Sequence, residues 1–367
     1  MRRIAFFANY KFGSVSYFAL RALRSIVEEV VAFSPDVLPN NEENIILCPI
    51  LAPVKQILTE MGGSFDAVIV VETNQFPLLL VTDIQGLEIP IAWWGIDTHL
   101  HFRWHKEYTK LFDYVFLAQL DYVYPVSRYA GMPVHWLPLA ADPDFHNDYY
   151  LDRVYDVSFV GNISPKRQRF FRKLSAQTPV HLFSGKSPVE LGQIYSQSKI
   201  GLNSITYEDL NARIFEVMAC GALLITPETQ AGLPNLFIPN KQLVTYSKHT
   251  LENTIKHYLI DRVAREEIAL EGFHAVHTAH TYEKRCLQML DIIANGKTKK
   301  KSDCYLSPEV EIALAWVYQH RYFRYYPKSM ALFRKNLLLH PFTTIQAMFR
   351  YVIAYGWQKW YRFKAEK

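Results

Sequence analysis

Two carboxylates eight positions apart, Glu208 and Glu216, bracket Asn211 and Arg213 within the stretch EDLNARIFEVMACGALLIT, residues 208–226. The second glutamate opens a short apolar helix that closes at Gly221 and runs on into an apolar, β-branched strand. A loop–helix–strand unit of this kind brings backbone N–H groups, one cation and two acceptor carboxylates to one point. A helix N-terminus favours negative charge through its macrodipole and its unpaired N–H groups, and carboxylates beside it suit sugar hydroxyls. The chemistry this predicts is nucleotide-sugar binding. Glu216 is placed to accept hydrogen bonds from ribose hydroxyls; the plainer alternative is an acid that only complements the first helical turn. Arg213 lies one turn earlier on the same face, where its planar fork can clasp a diphosphate or simply pair with Glu216. Asn211 can cap the helix and touch phosphate as well, capping alone being the commoner use of such a residue.

Such a unit must be carried by a sheet, and the chain is patterned for one. Apolar runs at 2–9, 30–35, 66–72, 89–95, 112–119 and 133–141 alternate with helical spacing at 17–29 and 51–61. A second series has strands at 155–162, 181–185, 200–204 and 242–246, with helices at 165–177, near 188–198, and at 250–261 and 263–280. Short apolar runs alternating with helices predict βαβ units and parallel sheets. The fold class is therefore α/β: two doubly wound, Rossmann-like domains, 1–145 and 146–295, facing one another across a cleft at the C-terminal ends of their strands.

Further candidates sit at those strand ends. Gly161 and Asn162 close a buried strand and are followed by Lys166, Arg167 and Arg169. A glycine there lets a phosphate approach the backbone while the cations supply charge; the bland alternative is a solvated basic helix face. Gly185 ends the next strand in the same way. In the first series, Asp97, His99 and His101 follow Trp94 and Gly95. His99 can orient an acceptor hydroxyl or the donor sugar, and Asp97 can hold the imidazole or act as a base. A metal is not predicted, because no Cys or His spacing elsewhere completes the set.

Composition limits the alternatives. The chain has 367 residues, 50% hydrophobic and 20% charged, which excludes disorder and exceeds one ordinary core. Its four cysteines, at 48, 220, 286 and 304, are far apart, so a reducing, cytoplasmic compartment is expected. No run has the length of a transmembrane helix, and the N-terminus lacks a signal-peptide pattern. Residues 297–367 carry 14 Lys and Arg against 4 Asp and Glu, whereas the rest of the chain is acidic on balance. The segment 307–341 reads as a helical hairpin, and 303–367 as a helical, basic and aromatic extension. It predicts either contact with a membrane surface or packing on the body. Nucleic acid is not predicted as a partner, since no coherent stacking groove is visible.

The segments WGIDTHLHFRWHKEYTKLFDYVFLAQLDYV (94–123), VHWLPLAADPDFH (134–146), YDVSFVGNISPKRQRFF (155–171), NARIFEVMACGALLIT (211–226) and HTYEKR (280–285) resemble, in this order, GT-B glycosyltransferases of the CgeB-like group. The resemblance implies transfer of a sugar from a nucleotide diphosphate to an acceptor hydroxyl on a glycan, a lipid-linked intermediate or a protein, with no cofactor or metal. It implies a donor site in the second domain and an acceptor site in the first. Glu208 and Glu216 fit the Glu-x7-Glu spacing of retaining members, which implies a catalytic role for Glu208. In those enzymes an aromatic–Gly pair usually follows the first glutamate, whereas here Asp209 and Leu210 follow. The loop Asn9–Ser14, with Gly13, resembles the phosphate or acceptor loop of the fold. His280, Thr281, Tyr282 and Arg285 match a late helix that packs across both domains. Competing expectations are epimerisation or hydrolysis of a nucleotide sugar, and a non-catalytic scaffold working through the C-terminal hairpin.

Overall fold

Apolar runs that are covered on both faces dominate the first half of the chain. In the computed structural model, residues 1–35, 44–73, 79–84, 86–175, 178–204, 208–247 and 249–296 are described, with the single positions 337, 341 and 345. The extension predicted for 303–367 lies outside the described residues apart from those three positions.

The first series comprises β1 (Arg3–Phe7), α1 (Val15–Ile26), β2 (Glu29–Ser34), β3 (Ile46–Leu47), β4 (Leu51–Pro53), α2 (Val54–Met61), β5 (Ala67–Val71), β6 (Leu80–Thr82), β7 (Ile91–Gly95), α3 (Thr98–Tyr108), β8 (Tyr114–Leu117), α4 (Val123–Ala130) and β9 (Val134–Trp136). Among the described residues, seven strands form a parallel sheet in the order β3-β2-β1-β5-β7-β8-β9. All five residues of β5 (AVIVV) and of β7 (IAWWG) are buried, as strands sandwiched between helical layers must be. The helix expected over 51–61 starts at Val54, because Leu51–Pro53 pairs with β6 instead. Strands β3, β4 and β6 were not foreseen; β4 and β6 pair with each other outside the main sheet.

The second series comprises β10 (Tyr155–Val160), α5 (Pro165–Ser175), β11 (His181–Phe183), α6 (Pro188–Ser196), β12 (Ser198–Leu202), α7 (Arg213–Ala219), β13 (Leu223–Pro227), α8 (Leu233–Leu236), β14 (Val244–Tyr246), α9 (Leu251–Ile260), α10 (Arg262–Ala279) and α11 (Tyr282–Asn295). Its five strands are parallel in the order β11-β10-β12-β13-β14, which reverses direction between β10 and β12. Ligands of doubly wound sheets bind in the crevice at the carboxyl ends of such a pair.

The two carboxyl edges meet. Gln119, just past β8, holds Leu210 ahead of α7: the Leu210 N–H donates to Oε1 at 3.0 Å and Nε2 donates back to the Leu210 carbonyl at 3.5 Å. Gly13 adopts φ +74° against the start of α6, where an added Cβ would lie 2.6 Å from Pro188 Cγ. One apolar cluster continues from Phe6 and Trp94 of the first sheet to Ile214, Phe215 and Met218 of α7. The last helix returns to the first sheet. Tyr282 stacks on Phe18 of α1 with centroids 5.2 Å apart, the Cys286 thiol donates to the Ala19 carbonyl at 3.7 Å, and the buried Arg285 donates Nε to the Pro138 carbonyl at 2.9 Å. His280, Thr281, Tyr282 and Arg285 thus join the two halves, as structural residues.

Candidate active site

Strand β10 ends in Val160 and β12 is followed by Asn203, on either side of the point where strand order reverses. Asn203 is fully buried and fixed from behind: its Nδ2 donates to Thr226 Oγ1 at 3.0 Å, and its carbonyl accepts the Tyr246 hydroxyl at 3.0 Å. Its Oδ1 therefore points a fixed acceptor at the crevice. There it takes Arg213 Nη1 at 2.9 Å and Asn211 Nδ2 at 3.4 Å. Arg213 Nε donates to the Val160 carbonyl at 2.9 Å, and the guanidinium lies over Phe159, 4.3 Å from the ring centroid. Gly161, at φ +152°, provides the space: a Cβ there would clash with Arg213 Nη2. The close approach predicted for Gly161 is thus made by a side chain of the protein.

Arg167 reaches the same place from α5. It donates Nη2 to the Ser204 carbonyl at 2.8 Å and Nη1 to the Asn162 carbonyl at 3.0 Å. Burial, and then the neighbouring Arg213, push its pKa down, while Asp209 opposes both. The charge of Asp209 acts on both guanidiniums. Burial raises the Asp209 carboxyl, and Arg167 and Arg213 pull it back. Arg167 Nε and Asn211 Oδ1 are enclosed without a hydrogen-bond partner among the described residues, leaving capacity that a ligand can use.

Glu216 lies in the first turn of α7 and is half-buried. It does not pair with Arg213, whose hydrogen bonds go to Val160 and Asn203. Its carboxylate makes no side-chain hydrogen bond among the described residues; burial raises its pKa and Arg213 offsets part of that rise. Asn211 is not a side-chain cap, since Ala212 occupies the N-cap position of α7 and no side chain caps it. Glu208, Asn162, Lys166 and Gly185 are exposed. Glu208 and Lys166 make no hydrogen bond or ion pair among the described residues, whereas the charge of Asp209 acts on Arg167 and Arg213.

On the opposing edge, Asp97 stands at the N-cap of α3, directly after β7, with His99 and His101 in the first turn. Beneath them lies the buried carboxylate of Glu72, which closes β5. It accepts the N–H groups of Ile96 and Asp97 at 2.6 and 3.0 Å and meets His105 Nε2 at 3.1 Å. Burial lowers the His99 imidazole pKa, while the Glu72 charge raises it. Asn9 is buried, and its carbonyl accepts the Ser16 hydroxyl at 2.9 Å; Ser14 Oγ donates to the Lys11 carbonyl at 2.7 Å. These bonds brace the loop whose Gly13 touches α6. Among the described residues no group of His, Cys, Asp and Glu side chains is arranged to hold a metal ion.

Asn203, Glu72 and Gln119 are absent from the sequence-based candidates. Each is a polar residue that closes an apolar strand, and that signal could have found them.

Solved structures with this arrangement include sucrose-phosphate synthase from Thermosynechococcus elongatus, with 12% identity, a TM-score of 0.58, and 80% of this chain and 98% of that one covered. Anabaena Alr3699/HepE in complex with UDP and glucose has 11% identity, a TM-score of 0.61, and coverage of 81% and 100%. A glycosyltransferase from Rickettsia africae ESF-5 has 11% identity, a TM-score of 0.58, and coverage of 81% and 99%. The two facing Rossmann-like sheets are the GT-B fold. Residues 164–291, from α5 into α11, match the family model described as glycosyl transferase-like. No curated protein matches the chain by sequence.

Proposed function

We propose that the protein is a glycosyltransferase that moves a sugar from a nucleotide diphosphate to an acceptor hydroxyl, with retention and without a metal. The observation that carries this is the convergence of Arg213, Asn203 and the unpartnered Glu216 at the reversal point of the second sheet, where a nucleotide would lie. Arg213 and Arg167 would take the diphosphate and stabilise it as it departs, and Glu216 would accept hydrogen bonds from the ribose. Catalysis would be positioning plus electrostatic stabilisation. Asp97 and His99 would serve the acceptor from the first domain, residues 1–145, with the donor in residues 146–295. Retention rests on the Glu208–Glu216 spacing. UDP-glucose is the first donor to try, since HepE has been solved with UDP-glucose. The basic segment 297–367 fits contact with an anionic membrane surface from a cytoplasmic position; among the described residues no helix is long and apolar enough to cross a membrane.

The test is a thermal-shift screen of UDP-, GDP-, ADP-, CMP- and dTDP-sugars, followed by turnover with the donor that binds. Glu216→Ala is expected to keep the fold and lose turnover. Retained turnover in that variant, or no stabilisation by any nucleotide sugar, would overturn the proposal. Labelled donor incubated without acceptor separates transfer from hydrolysis or epimerisation.

A further inference from the structure

Glu72 is a charged residue at the end of five buried apolar ones, and only 5% of its surface is exposed. Both oxygens of its carboxylate are engaged. Oε2 receives the consecutive N–H groups of Ile96 and Asp97, and Oε1 meets His105 Nε2. The far side of that ring, Nδ1, lies 3.0 Å from Thr98 Oγ1, so the bonds return to the turn from which they started. Trp93 and Trp104 wall the imidazole edge to face, with centroids 4.9 and 4.1 Å away. The segment enclosed, Ile96–Thr98, is the turn from β7 into α3.

A buried ion pair is weak evidence for stability, because apolar residues of the same volume often serve as well. Apolar residues cannot, however, hold two adjacent N–H groups at a helix start. Glu72 does so here from another strand, while the Asp97 side chain at the N-cap makes no capping hydrogen bond. The turn fixed in this way carries Asp97 and leads directly into His99.

We propose that Glu72 is a positioning residue for sugar transfer: with His105 it locks the β7–α3 turn so that Asp97 and His99 are held for the acceptor. This deepens the transferase proposal and rests on it. Glu72 does not touch the donor side, where Arg213, Arg167 and Glu216 gather, so it should affect turnover and leave nucleotide binding alone.

Full-length protein is compared with Glu72→Gln, which keeps one acceptor oxygen for the turn, and Glu72→Ala, which keeps none. Amide hydrogen exchange at Ile96 and Asp97 is expected to quicken roughly tenfold or more in Glu72→Ala and less in Glu72→Gln, with the amides of β1 and β8 unchanged. The thermal shift produced by UDP should match that of the parent protein. With UDP-glucose, or whichever donor the screen selects, kcat should fall roughly tenfold or more while the donor KM stays within about twofold. If Glu72→Ala does not fold, Glu72→Gln carries the comparison. Unchanged exchange at Ile96 and Asp97 overturns the proposal, as does a loss that appears in donor KM instead of kcat. His99→Ala is the control: if it turns over normally, the acceptor-side assignment fails, while the exchange result still decides whether Glu72 holds the turn.

Discussion

Replacing Arg213 with Met keeps most of the aliphatic stem and removes the guanidinium. Three attachments go with it: the bonds to the Val160 carbonyl and to Asn203 Oδ1, both at 2.9 Å, and the contact with the face of Phe159. Hydrogen bonds from a charged donor contribute roughly 1.5–3 kcal/mol each when buried, but Arg213 is only partly buried and solvent screens it. A net loss of about 2 kcal/mol is therefore expected, which is several degrees in melting temperature. The pH dependence is more diagnostic. Burial holds the Glu216 carboxyl above its ordinary value of 4.5, and Arg213 pulls it back. A carboxyl raised on folding does no harm while protonated. Its destabilising effect grows as pH rises from the ordinary value through the raised one, and is complete above that. Without Arg213 the folded pKa climbs further, so the deficit of the variant should widen as pH rises from 4.5 toward neutrality. Urea unfolding followed by tryptophan fluorescence at the two ends of that range measures this. Adding Glu216→Gln to Arg213→Met should recover stability at the higher pH only. UDP affinity, read by calorimetry, should fall roughly 10- to 100-fold in either background. A deficit that is the same at both pH values, with no recovery in the double variant, would refute the coupling of Arg213 to Glu216.

Gly161→Ala combines a strained φ with a clash against Arg213 Nη2; it should cost roughly 1–3 kcal/mol in thermal melts and weaken UDP binding by displacing that guanidinium. Undiminished UDP binding in this variant would show that Arg213 does not hold the diphosphate. His146 is buried, and its Nδ1 accepts the Asp142 N–H at 3.0 Å; burial pushes its pKa from 6.5 down to about 3. The unfolded chain takes up a proton that the folded one refuses, so stability should decline as pH falls from 6.5 toward about 3. His146→Asn should flatten that decline in urea titrations, and an unchanged slope would mean that the imidazole is not held neutral.

The parallel sheets were legible because their central strands are buried on both faces and read as unbroken apolar runs, such as AVIVV in β5 and YVFL in β8. Residues 46–47, 51–53 and 80–82 were not: β3 is exposed, β4 and β6 pair outside the main sheet, and Pro53 argues against a strand. In the site, Arg213 was legible from its spacing to Glu216, but its partners were not. Neither Val160 nor Asn203 is near it in sequence; they lie 53 and 10 positions away. Gly161 shows the same limit from the other side. A glycine at a strand end announces that something approaches the backbone, and the sequence cannot say whether that is a ligand or an arginine. Glu208 has the expected spacing to Glu216 and is exposed, whereas the charge of its neighbour Asp209 acts on Arg167 and Arg213, which spacing does not announce.

Asn203, Glu72 and Gln119 explain why the missing part is systematic. Each follows an apolar strand at its carboxyl end, where the polar backbone of one element must be handed to another: Asn203 to α7, Glu72 to the turn before α3, Gln119 across 91 positions to Leu210. A buried polar side chain is tolerated only when its hydrogen bonds are made, and here they are made over long range, to groups that no local window contains. The edge that must stay open to a ligand cannot be closed by apolar packing, so single polar residues have to hold its loops. In a doubly wound sheet, a lone Asn, Gln or Glu ending an apolar run is therefore worth reading as a brace for the site before it is read as surface.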